Sequence, residues 1–176
     1  MNKILELFVK EPEREFHVRE VARLVEKSPT TASFYLEKFE EEGILKSERK
    51  LNHLVYKANA ENKAFKQLKL NYNLEILNKS GLIEFLENEF NHPEAIGLFG
   101  SFAKAENIPI SDIDLFVISS SDKQPVLKKY EKNLGHKIQL FVFSRNDIEK
   151  MKQKNKELLN NILNGIILYG YLEVFK

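Results

Sequence analysis

Residues 95–119, AIGLFGSFAKAENIPISDIDLFVIS, constrain this chain more than any other stretch. Ala95 to Phe99 is a short apolar run that fits a buried strand. Gly100-Ser101 interrupts it, and a helical turn is expected from Phe102. Ten residues separate Ser101 from Asp112-Ile113-Asp114, and a second apolar run, Leu115 to Ile118, follows directly. On an extended strand, residues two apart point to the same side, so both carboxylates share one face. Like charges so placed repel one another, and a divalent cation, Mg²⁺ or Mn²⁺, relieves the repulsion. Gly100 lets the backbone approach a ligand closely, and amides around Ser101 at a helix start suit phosphate oxygens. The stretch reads as a phosphate cradle beside a metal-binding carboxylate pair.

Gly-Ser, ten residues, then Asp-x-Asp resembles the signature of the DNA polymerase beta-like nucleotidyltransferases. More narrowly, it is similar to the minimal nucleotidyltransferases, small proteins that transfer a nucleoside monophosphate from a nucleoside triphosphate. The resemblance covers the C-terminal half of the chain and includes its last residues, IILYGYLEVF. It implies an α+β fold with a small polymerase beta-like domain built on a mixed sheet. It also implies that Asp112 and Asp114 are catalytic and hold the metal, and that Gly100 and Ser101 bind the nucleotide with help from Lys104. The expected cofactor is Mg²⁺ (or Mn²⁺), and the expected nucleotide is ATP before other triphosphates.

Two departures from that pattern stand out. The polymerase beta-like fold uses a third carboxylate on a neighbouring strand, and by position it belongs in Lys137 to Phe143, KIQLFVF. The polar side chain in the middle of that run is Gln139. A neutral amide coordinates weakly and is no general base near neutral pH. The alternative is that Gln139 faces solvent and another acid, such as Glu106 or Asp122, completes the site. The family's Arg-Gly after the turn is replaced here by Lys104-Ala105, which keeps a charge but loses the bidentate fork and the permissive glycine.

The N-terminal third has a different character. Ile4, Leu5, Phe8 and Val9 fall at helical spacing, and Pro12 stops that helix. A short extended piece, Glu15 to His17, precedes a helix over Val18 to Glu26 with Val21, Ala22, Leu24 and Val25 inward. Ser28 suits an N-cap and Pro29 a first helical position, so a third helix is expected over Pro29 to Glu42, closed by Gly43. Ile44 to Arg49 and Leu54 to Ala58 then read as two strands joined by residues 50–53. Three helices and a hairpin, with the phrase SPTTASFYLEKFEEEGIL, resemble a winged helix-turn-helix domain. In that resemblance Thr30, Thr31, Ser33 and Phe34 face the major groove, and Lys27, Lys38, Lys46, Arg49, Lys50, His53 and Lys57 reach phosphates. Residues 1–60 carry eleven Lys or Arg and eleven Glu. A neutral domain must segregate its basic face to bind double-stranded DNA well. The alternative is a dimerisation or protein-docking module, so a homodimer and a protein acceptor stand beside DNA as partners.

Residues 61–92 read as a helical linker, with Leu74, Leu77, Leu82, Ile83, Leu86 and Phe90 in a stripe and a bend at Ser80-Gly81. Asn71 to Asn73 read as a turn signal. The expected domains are 1–60, 61–92 and 93–176. Beyond Ser119 a basic amphipathic helix is expected over Gln124 to Leu134, then the Gln139 strand, then helices carrying Ile148, Met151, Leu158, Leu159, Ile162 and Leu163. The tail from Ile166 to Phe175 reads as a short final strand or extended segment.

Composition adds exclusions. The chain has no cysteine, which removes disulfides and thiolate metal sites. No apolar run approaches a bilayer span, and a charge interrupts the start, so a cytoplasmic chain with no membrane partner is expected. The leading expectation is a metal-dependent nucleotidyltransferase with a winged-helix targeting domain. The alternative is a DNA-binding regulator whose C-terminal domain senses nucleotide with weak or no turnover.

Overall fold

Asn2 opens the first helix by accepting the Ile4 N–H on its side-chain oxygen, at 2.8 Å in the computed structural model of the protein. The structure describes residues 1–51 and 53–175. Asn52 of the expected hairpin turn, and Lys176 at the end of the last expected domain, lie outside the described residues. The chain divides into two units, Met1–Tyr72 and Asn73–Lys176.

In the first unit, α1 (Lys3–Lys10) buries Ile4, Leu5, Phe8 and Val9. After it come β1 (Phe16–His17), α2 (Val18–Leu24), α3 (Pro29–Glu41), β2 (Leu45–Lys50) and β3 (His53–Ala58). The strands form one antiparallel sheet in the order β1-β3-β2. Ser28 caps α3 by accepting the Thr31 N–H, and Gly43 leaves α3 at φ +71°. Phe8 and Phe16 meet edge to face at 5.0 Å in the core, with Leu36 and Tyr56 fully buried beside them. Leu24, expected inward, is 45% exposed. Helix α2 stops there, a left-handed Glu26 (φ +56°) turns the chain, and Val25, also expected inward, covers the core.

Helix α4 (Lys63–Lys79) spans the division between the units. Phe65, Lys69, Asn73 and Leu77, each four residues apart, form its buried stripe. Asn71 to Asn73 therefore lie within a helix rather than a turn. Tertiary packing overrides the weak helix preference of asparagine.

The second unit continues with α5 (Leu82–Glu89), β4 (Ala95–Phe99), α6 (Gly100–Ala103), β5 (Ile113–Ile118), α7 (Lys128–Leu134), β6 (Ile138–Phe143), α8 (Arg145–Lys154), α9 (Lys156–Leu163) and β7 (Ile166–Gly170). Its mixed sheet has the order β6-β5-β4-β7, with β5 and β6 parallel and the other pairs antiparallel. The apolar runs of β4 and β5 are continuous because both faces of the sheet are covered. On one face, Ile96, Leu98, Ile113, Leu115 and Val117 pack with Leu77, Leu82, Leu86 and Phe90. On the other, Phe99, Phe116 and Ile118 pack with Ile148, Met151, Leu159 and Ile162 of α8 and α9. Gly97 sits opposite Phe116 and leaves room for its ring, since a Cβ there would stand 2.2 Å from it. Helix α7 begins at Lys128, not at Gln124; Pro125 keeps Gln124 out of helical backbone. The last strand pairs only as far as Gly170, at φ +69°. The fold is α+β, and no helix among the described residues is long and apolar enough to cross a membrane.

Burial holds the Lys69 ammonium down at about 8, although Glu13 pulls the other way. The unfolded chain, with an ordinary lysine near about 10.4, keeps its proton longer, so stability gains from deprotonation as pH rises through that interval. Denaturation midpoints measured from pH 8 upward should therefore climb, and Lys69→Met should flatten the climb. A wild-type profile no steeper than that of the variant contradicts the burial-driven shift.

Candidate active site

The end of β4 and the start of β5 create the site. Register pairs Phe99 with Asp114, so the turn that follows Phe99 lies against the Asp114 side chain. Gly100 adopts φ +69°, and a Cβ on it would stand 2.2 Å from Asp114 Oδ2. Both the backbone conformation and this contact restrict the position to glycine. Period-two geometry puts Asp112, Asp114 and Phe116 on the same face of the sheet, the face covered by α8 and α9 farther along. The carboxylates sit where that apolar cover ends.

The neighbouring strand adds one more group. Parallel β6 pairs Gln139 with Asp114, and the Gln139 side-chain Nε2–H donates to Asp112 Oδ2 at 2.6 Å. Gly100, Asp112, Asp114 and Gln139 thus meet at one end of three adjacent strands. Burial, and then the negative charge of Asp112, raise the Asp114 carboxyl above the usual aspartate range.

These residues fit a single hard divalent cation. Mg²⁺ keeps several waters and is held by one or two carboxylates together with substrate phosphates. Asp112 and Asp114 supply two such oxygen donors. Among the described residues no three His, Cys, Asp or Glu side chains gather for a metal, in keeping with a glutamine beside the pair. Of the other acids, Asp122 follows the far end of β5, and Glu106 is exposed in the turn after α6.

The family model for polymerase beta nucleotidyltransferases matches residues 80–173, just over half of the chain. The chain belongs to that family. No curated protein matches it. Polymerase beta-like nucleotidyltransferases generally use divalent metals, and their name describes a transferase acting on nucleotides.

Within this nucleotidyltransferase domain, Ser101 is half-buried in the first turn of α6, and Lys104 is exposed at its C-cap. Ala105 adopts φ +57°, so the left-handed turn persists without a glycine to make it. Such a conformation costs a non-glycine residue about 1–2 kcal/mol. The loop from Ala105 to Ser111 is tied at both ends. Asn73 Nδ2 donates to the Phe102 carbonyl and to Asn107 Oδ1, both at 2.9 Å. At the other end His136 Nδ1 lies 2.8 Å from the Ser111 carbonyl, and the His136 ring meets Phe102 edge to face at 4.9 Å. A carbonyl oxygen only accepts, so Nδ1 carries the proton. Sequence reasoning missed Asn73, Asn107 and His136. The available signal for Asn73 was its place at four-residue spacing between Phe65 and Leu77, on the helix face that they bury.

The residues proposed for DNA lie in the first unit. Thr30 is exposed at the start of α3, and Phe34 is 62% exposed. Thr31 shares a hydrogen bond with Ser28, and the Ser33 hydroxyl donates to Glu37. On the hairpin, Arg49 is exposed, whereas Lys50 pairs with Glu15 at 2.5 Å and Glu48 at 3.5 Å. Lys38 stands 4.0 Å from Glu42. Several of these cations are therefore partly compensated within the unit.

A raised carboxyl makes a signed prediction. With no metal present, Asp114→Asn should raise the melting temperature at neutral pH, because it removes a desolvated charge beside Asp112. The gain should shrink as pH falls through the Asp114 pKa, where the native carboxyl is already neutral. Thermal melts of both proteins in chelator across pH 4–8 check this, and a gain independent of pH contradicts it.

Proposed function

We propose that this protein is a metal-dependent nucleotidyltransferase that moves a nucleoside monophosphate from a triphosphate, ATP before others, to an acceptor. The observation that carries the proposal is the convergence of Gly100, Asp112 and Asp114 at one end of the sheet in a chain of this family. Asp112 and Asp114 hold Mg²⁺ or Mn²⁺, which, when bound, neutralises the pair and draws triphosphate oxygens to it. Gly100 and Ser101 bring backbone amides to the phosphates, and the exposed Lys104 adds a mobile positive charge. The acceptor hydroxyl oxygen attacks the α-phosphorus and loses its proton to solvent, and pyrophosphate leaves as the bond from the α-phosphorus to its bridging oxygen breaks.

A second reading, nucleotide sensing with slow turnover, is favoured by one contact. The Gln139 amide occupies an Asp112 oxygen and brings no charge. A neutral side chain there would leave any second ion, the one that activates the attacking hydroxyl, short of a ligand. Incubation with labelled nucleoside triphosphates and Mg²⁺ or Mn²⁺, with and without cell extract, separates the two. Transfer to any acceptor supports the first, and binding without transfer supports the second. ATP with Mg²⁺ should raise the melting temperature in either case. Asp112→Ala combined with Asp114→Ala should abolish the rise while the fold survives, and a full rise in that variant rules the site out. Gln139→Asp should accelerate measured transfer by about tenfold or more. An unchanged rate denies Gln139 this role.

Residues 1–60 are proposed as a winged helix-turn-helix that targets the transferase to double-stranded DNA, with Thr30, Thr31 and Ser33 toward the bases and Lys38, Arg49 and Lys50 toward phosphates. The exposed Phe34 and Arg49 support this over a wholly covered surface. DNA affinity should fall steeply with salt, by a logarithmic slope of about −0.9 per phosphate contact. Arg49→Ala should weaken binding to all sequences alike, while Thr30→Ala should change sequence preference. Absence of binding at low salt by a folded protein would leave a protein-docking or dimerisation role for these residues.

A further inference from the structure

Helix α6 is only four residues long, yet the loop that delivers Asp112 hangs from its end. Its last turn closes in the pattern of a left-handed C-cap. The Glu106 N–H donates to the Ser101 carbonyl at 2.9 Å, and the Ala105 N–H reaches the Phe102 carbonyl at 3.4 Å. Glycine normally supplies the left-handed residue of this motif, because a Cβ is disfavoured there. Here Ala105 supplies it, at φ +57° and 7% exposed. A strained conformation persists only where its surroundings over-determine it.

Asn73 provides that restraint. It is 1% exposed, and it approaches the turn from α4, outside the loop itself. Its amide spends one N–H on the Phe102 carbonyl, the same oxygen that the Ala105 N–H addresses at the longer distance. The other N–H goes to Asn107 Oδ1, two residues beyond Ala105. The orientation of the amide follows from chemistry, since the Phe102 carbonyl can only accept. A single side chain thus joins the residues on both sides of the strained position. Asn107 is itself buried, at 7% exposure. From it the chain runs through Ile108, whose N–H donates to Ser111 Oγ, to Asp112.

We propose that Asn73 is a positioning residue for the candidate nucleotide site: it clamps the Phe102–Asn107 turn and so sets the Asp112–Asp114 pair against Gly100 and Ser101. This goes beyond the nucleotidyltransferase reading and rests on it for the ligand. Asn73 touches neither nucleotide nor metal. It acts by holding a non-glycine turn in the shape the Gly-Ser segment requires, and Ala105 and Asn73 form a compensating pair. A glycine at 105 would make the clamp less necessary.

The experiment uses the full chain and four proteins besides the wild type: Asn73→Ala, Ala105→Gly, the double variant, and Ile148→Val. The last is a core control in the α8–α9 cluster, which shares the carboxylates' face of the sheet but does not include Phe102 of the turn. Calorimetric titration with ATP and Mg²⁺, below every melting temperature, reads the geometry of the site. Amide hydrogen exchange at Ala105 and Glu106 reads the turn directly. Asn73→Ala should weaken ATP binding about tenfold, since small misplacements of positioned groups carry large costs. It should also speed exchange at both amides. Adding Ala105→Gly should recover most of the affinity and most of the protection, whereas Ile148→Val should change neither. Unaltered affinity and exchange in Asn73→Ala would overturn the proposal. So would an equal loss in Ile148→Val, or a double variant no better than Asn73→Ala. If wild type itself fails to bind ATP with Mg²⁺, the nucleotide reading falls, and exchange at Ala105 and Glu106 alone decides the clamp. Unchanged protection in Asn73→Ala then overturns it.

Discussion

The contact on which the candidate site depends is the one between Gly100 and Asp114 Oδ2. A carboxylate is packed where any other residue would place a Cβ, so the Gly-Ser turn and the acidic pair are joined directly rather than merely near one another. The sheet explains why this contact is available. Antiparallel pairing of β4 with β5 brings the end of one strand to the start of the next, and apolar cover on both faces holds the register. A register slip of one residue would turn both aspartates into the opposite apolar cluster. Burial of this kind also explains the raised Asp114 carboxyl. A cation held by the pair would relieve that burial cost.

Gln139 gives this member of the polymerase beta nucleotidyltransferase family its own character. Its position beside Asp114 follows from parallel pairing of β5 and β6, and its amide is well suited to a carboxylate oxygen. A hydrogen-bond donor steadies Asp112 where a third acid would have added repulsion. The same exchange reduces the charge available to metal.

Much of this was legible in the residues. Asp-x-Asp after a Gly-Ser turn, between two apolar runs, announces paired strands with carboxylates on one face, because period two leaves no other arrangement. Gln139 was found through the family resemblance, as the polar residue in KIQLFVF where the third carboxylate belongs. Capping chemistry marked Ser28 and Gly43, and the structure has both at the ends of α3. What escaped were residues whose role depends on contacts distant in sequence. Asn73 looked like a turn because asparagine is common in turns, and only its bonds to Phe102 and Asn107 reveal a buried clamp. Alanine itself carries no sign of a left-handed backbone, and only the place of Ala105, where the resembled family has a permissive glycine, pointed to one. Leu24 misled for the converse reason: an apolar residue at helical spacing turns outward when the helix ends beneath it.

The central claim is that Asp112 and Asp114, backed by Gly100, form a metal–nucleotide site. Anomalous scattering from a crystal grown with Mn²⁺ and a non-hydrolysable ATP analogue tests it most directly. The expected result is a manganese peak shared by the Asp112 and Asp114 carboxylates, with the triphosphate against Gly100 and Ser101. Nucleotide and manganese bound elsewhere, with the aspartate pair left uncoordinated, would contradict it.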